Sequence, residues 1–216
     1  MVKNWLPALL LTLPFSIYAQ AQAQVKAPDA FANVMQNQSH RAAVLDAARH
    51  SPAWSHMGCP SATFTPQPEI GVYAPIQFDP AGNPIAGAWR EGLIATGCGT
   101  TLTLNVLTKV TAPATLVTGP LEPGGTIAEP TLQNAAQASV VAAAGGIPPA
   151  CHDAFISNTT FNAYEGSPDP SLPKGEQAAP WSETWTLNIC GPTKDVTIHF
   201  TPTATSVGIH ADPAAG

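Results

Sequence analysis

An α+β fold of two tandem repeats, each a helix packed on a small antiparallel meander sheet with one disulfide, follows from three features of the chain. Its four cysteines fall into two pairs of equal spacing. Alternating apolar segments follow the second cysteine of each pair. A helical stretch precedes each first cysteine. Cys59 to Cys98 and Cys151 to Cys190 both span 39 residues. The offset between copies is constant, since 151 − 59 and 190 − 98 both give 92. Trp89, Glu91 and Gly99 recur at that same offset as Trp181, Glu183 and Gly191. Matches of rare residue types at one offset are the signature of an internal repeat.

The elements follow in chain order. Residues 1–23 carry the pattern of a secretory signal peptide. Lys3 gives the positive start, and Trp5 to Tyr18 is an apolar run broken by Pro7, Thr12, Pro14 and Ser16. Ala19-Gln20-Ala21 and Ala21-Gln22-Ala23 offer small-x-small cleavage sites. A bilayer span needs roughly 20 apolar residues, so the run is too short for an anchor. The expected organisation is therefore a signal peptide over 1–23, repeat 1 over 24–118, a linker over 119–130 and repeat 2 over 131–216.

Ser39 to Ala48 reads as a helix, with Ala42, Leu45 and Ala48 on one side, Ser39 as its cap and Pro52 as its stop. Asp29 to Gln38 extends the same apolar stripe upstream. In the second copy, Thr131 to Ala144 places Leu132, Ala136, Val140 and Ala143 together, and Gly145-Gly146 ends the helix. Leu102, Leu104 and Val106 alternate with polar residues, as do Val196, Ile198 and Phe200, which is strand periodicity. Trp181, Trp185, Leu187 and Ile189 share a strand face opposite Ser182, Thr184, Thr186 and Asn188. Each Cys-Gly then lies near a turn between antiparallel strands. Asp79 to Pro84 and Gly166 to Gly175 read as long loops, and Gly119 to Pro130, with three Gly and three Pro, reads as a linker.

Four cysteines allow three pairings. If each copy is self-sufficient, the bonds are Cys59–Cys98 and Cys151–Cys190. No C-x-x-C is present, which argues against a zinc cluster or a redox motif.

Composition narrows the functional classes. Eight Lys and Arg against 14 Asp and Glu leave a net charge of −6. The cations are too few and scattered to track phosphates, and an acidic chain is poorly matched to anionic lipid. No nucleotide-binding loop, G-x-S-x-G elbow or dinucleotide fingerprint occurs. Cofactors and catalytic residues are not expected. Glu91 and Glu183 could act as general acids beside a buried Trp, but such residues more often pair across a sheet. Trp89, Trp181 and Trp185 could form a ligand platform, although strand positions favour core packing. His50 and His56, with Met57, are weak candidates for a soft metal site. Asn37 and Asn158 begin glycosylation sequons.

The layout of helix-plus-sheet repeats with one disulfide each resembles that of cystatin-like modules and of tandem-repeat inhibitors of β-lactamase. The resemblance is one of architecture and carries no site residue. The expected function is a periplasmic or secreted, non-enzymatic module that binds a protein or cell-envelope component, through Trp89, Trp181, Trp185, Glu91 and Glu183. The alternatives are an exported hydrolase with a His/Glu site, or a metal carrier.

Overall fold

A computed structural model describes residues 27–56, 59–168 and 179–214. The signal-peptide expectation over 1–23, Met57 and most of the loop ending at Gly175 lie outside them.

The elements run α1 (Ala27–Gln36), α2 (Gln38–Arg49), α3 (Pro52–Ser55), β1 (Thr63–Phe78), β2 (Pro84–Gly97), β3 (Thr100–Ala112) and β4 (Thr115–Pro120). Then follow α4 (Pro130–Ala143), β5 (Ala154–Tyr164), β6 (Trp181–Ile189), β7 (Thr193–Pro202) and β8 (Val207–Ala211). Strands dominate. They form two separate four-stranded antiparallel meanders, β1-β2-β3-β4 and β5-β6-β7-β8.

The offset of 92 survives in the ladders. Ile94 pairs with Thr103 and Thr186 with Asp195, while Trp89 pairs with Thr108 and Trp181 with Phe200. On the other side, Phe64 pairs with Ala95 and Ile156 with Leu187, and Val72 pairs with Trp89 and Tyr164 with Trp181. Between those matching ends the outer strand has seven residues where its neighbour has five, in both copies. Repeat 1 absorbs the two extra residues in one wide irregularity, Pro66 to Ile70. Repeat 2 takes them as two single bulges, at Ile156/Asn158 and Phe161/Ala163.

Turn chemistry explains why a glycine follows each second cysteine. Cys98 and Gly99 have φ of 50° and 79°, and Cys190 and Gly191 have φ of 52° and 112°. Two consecutive left-handed residues make the two-residue hairpin connection whose twist suits flanking strands. The disulfides are Cys59–Cys98 and Cys151–Cys190, with Cα separations of 5.8 and 5.7 Å.

Two cores result. Val44, Ala47 and Ala48 share one buried cluster with Leu93, Leu104 and Val106. Leu132, Ala136 and Val140 share the other with Trp185, Ile198 and Phe200. The helical stretch 29–48 is not continuous. Asn37 interrupts it, because its side chain accepts from the backbone N–H groups of Ser39 and His40 and so caps α2 in place of Ser39. Pro52 does not simply stop the chain: Ser51 caps α3 and Pro52 takes its first position. At the same offset as Asn37 stands Glu129, which caps α4 through Thr131 and Leu132.

The Gly/Pro-rich stretch between the repeats is built into both of them. Leu121 N–H donates to Asn105 O and Gly124 N–H to Thr103 O, beside the end of β4. Gly125 N–H donates to Thr159 O, and Thr126 N–H to Thr159 Oγ1, on β5. Residues 121–126 are thus a strap held between β3 of one repeat and β5 of the other, with Thr126 fully buried.

Candidate functional site

Each W-x-E segment lies on the middle of its sheet, on the face covered by the helices. In a strand, residues i and i+2 share a face, so Trp and Glu point the same way into the core. Trp89 and Trp185 are fully buried, Trp181 nearly so, and Glu91 and Glu183 as residues are 7% and 0% exposed. A buried carboxylate requires donors, and among the described residues each glutamate has three.

The donors differ between the copies. Glu183 Oε1 accepts from Trp181 Nε1 and from the Ile127 backbone N–H, both at 3.0 Å, and Oε2 accepts from Trp185 Nε1 at 2.9 Å. Glu91 Oε1 takes Trp89 Nε1 at 2.9 Å, Thr108 Oγ1 at 3.0 Å and His40 Nε2 at 2.7 Å. Only the first tryptophan is common to both sets. His40 occupies, at the constant offset, the place of Leu132 on the buried face of α4. Its Nδ1 is buried and has no partner among the described residues.

Glu91 also reaches a groove of about 570 Å³ between α2, β1 and β2, walled by Arg41, Val44, Phe64, Gly92 and Leu93. A second groove of about 430 Å³ lies where the strap meets repeat 2 and includes Glu122, Gln137, Phe155 and Leu187. Burial pushes the Glu122 carboxyl up, partly offset by the bond it accepts from Gln137.

Four of the remaining histidines meet carboxylates, and two of them, His199 and His210, share Asp212. His50 lies 3.5 Å from Asp46 on the exposed side of α2. His56 meets Asp153 across the repeats at 2.5 Å and packs on the Phe155 ring. Among the described residues no group of three or more His, Cys, Asp or Glu is arranged to hold a metal ion. His199 bridges two carboxylates, Nδ1 donating to Glu165 at 2.9 Å and Nε2 to Asp212 at 3.1 Å. Both partners are carboxylates, so the imidazole can donate to both at once only in its doubly protonated form. Hydrogen bonds to Glu165 and then Asp212 raise its pKa, and the bond to His199 lowers that of Glu165.

His40 was not among the residues singled out from the sequence. The signal was present, because adding 92 to 40 gives a core leucine, so a histidine there has to face a buried partner. No described helix is long and apolar enough to cross a membrane. No known protein family matches the chain, and no curated protein or solved structure matches it either.

Proposed function

We propose that the chain is an exported, non-enzymatic module that binds a protein or a component of the cell envelope. Two intrachain disulfides favour an oxidising compartment. One observation carries the binding part: Val72 and Tyr164 occupy equivalent positions, since 164 − 72 is 92, and they are 59% and 62% exposed. They are the most exposed large apolar residues among those described. Each sits on an outer strand beside the first tryptophan of its repeat. Isolated apolar surface residues need no explanation, but a repeated pair does.

Replacing both by glutamate tests the reading. Surface changes of this kind alter stability by about 0.5 kcal/mol or less. The wild-type protein, immobilised, should retain an envelope component that the V72E/Y164E protein does not. Equal retention by both would remove this reading.

A hydrolase remains a second reading on the strength of the 2.7 Å His40–Glu91 contact. Against it, the His40 side chain is 3% exposed and the pair belongs to one repeat only.

A further inference from the structure

The two repeats present the same carboxylate in two environments, and the second shows what the first lacks. In repeat 2, Glu183 Oε2 accepts from the Trp185 indole. In repeat 1 all three donors converge on Glu91 Oε1, and among the described residues none reaches Oε2. The counterpart of Trp185 is Leu93, since 185 − 92 is 93. Leu93 is a wall of the 570 Å³ groove, and Glu91 is another. Where repeat 2 holds an indole with its N–H on the carboxylate, repeat 1 has a smaller aliphatic side chain, an open groove and an oxygen without a donor.

We infer that this groove receives a tryptophan side chain of a partner polypeptide, with the indole N–H donating to Glu91 Oε2. The groove suits that ligand in three respects. Val44, Phe64 and Leu93 give the ring apolar walls. The free oxygen gives the N–H its acceptor, and a buried indole N–H needs one. Arg41 lines the same groove and would repel an ammonium, which favours a neutral donor. Tryptophan is also a side chain that commonly anchors interfaces by filling a pocket. The site deepens the binding-module reading and rests on it for its biological sense, yet it is distinct from Val72 and Tyr164.

The probe is N-acetyl-tryptophanamide, titrated into the full chain while the backbone amide signals of Glu91, Gly92 and Leu93 are followed by NMR. Saturable shifts at these residues are expected. The 1-methylindole analogue, which lacks the N–H, should bind about tenfold more weakly, the effect of losing one hydrogen bond to a charged acceptor. Leu93→Trp should reproduce the repeat 2 arrangement and abolish the shifts. If that protein does not fold, Ala42→Trp on the exposed rim should block the groove without touching the core. No saturable binding, equal affinity for the methylated analogue, or binding that persists in a folded blocked variant would each overturn the site. Failure here leaves partner capture through Val72 and Tyr164 to stand or fall on its own experiment.

Discussion

Replacing Gly124 by alanine probes the strap between the repeats at its tightest point. A Cβ there would lie 2.2 Å from Thr159 O, 2.5 Å from Thr159 N and 2.6 Å from Asn158 Oδ1. Two of these atoms are β5 backbone and cannot rotate aside. Ordinary contact begins near 3.4 Å, so the strap has to retreat by more than 1 Å. That movement breaks Gly125 N–H to Thr159 O at 2.7 Å, Thr126 N–H to Thr159 Oγ1 at 3.0 Å and Thr159 Oγ1 to Pro123 O at 2.6 Å. Each contributes about 1 kcal/mol net. The φ of +94° adds about 1–2 kcal/mol for a residue with a side chain. The expected loss is therefore about 4–5 kcal/mol. The adjacent Gly125 supplies the control, because a Cβ there meets nothing closer than 3.8 Å and its φ is not left-handed. Gly125→Ala should change stability by less than about 1 kcal/mol, with a stabilising tendency from the stiffer unfolded chain. Urea unfolding of the two variants separates them by midpoint at an unchanged slope. A Gly124→Ala protein within about 1 kcal/mol of wild type, or equal damage from both substitutions, would refute the packing argument.

Two further outcomes follow from the crosslinks and from His199. Removing either disulfide as a Cys-to-Ser pair should cost about 4 kcal/mol in the loop-closure picture, and the same for both because each closes 39 residues; denaturant unfolding without reductant would show it, and a difference of several kcal/mol between the pairs would contradict it. The His199 pKa is raised from 6.5, so its contribution is complete below about that pH and fades as pH rises through the folded value. Glu165 is lowered from 4.5, so its contribution is complete above about that pH and is lost as pH falls through its folded value. The clamp is thus fully formed between about pH 4.5 and 6.5. An NMR titration of the His199 ring should give a lower pKa in Glu165→Gln than in wild type, and an unchanged value would show that the pairing is absent in solution.

Much of the architecture was legible because the repeat leaves marks in rare residues. Trp89, Cys98 and Gly99 fix an offset that runs unchanged into the ladders and the helix caps. The Cys-Gly turn was legible for the same reason, as a glycine recurs after the second cysteine of each copy and glycine accepts the left-handed conformation a tight turn needs. β1 was harder to see, since Pro66, Pro68 and Pro75 interrupt its alternation and its bulge shifts the period. The break between α1 and α2 escaped the apolar stripe because Asn37 acts through side-chain hydrogen bonds, which periodicity does not register. The Gly and Pro content of residues 119–130 reads as a linker and does not reveal its contacts, such as the close approach of Gly124 to the Thr159 backbone. The partners of Glu91 and Glu183 could not be read locally. His40 and Ile127 come from segments 51 and 56 residues away, and only the fold brings them to the carboxylates.

The prolines of β1 have a consequence for how these molecules behave when crowded. β1 is the longest strand and lies at a sheet margin, and three of its residues have no amide hydrogen to offer a neighbouring chain. The opposite margins, β4 and β8, are only 6 and 5 residues long, and the middle of β5 is already occupied by residues 125 and 126. Among the described residues no margin therefore presents a long, straight row of vacant donors and acceptors of the kind on which copies stack into fibres.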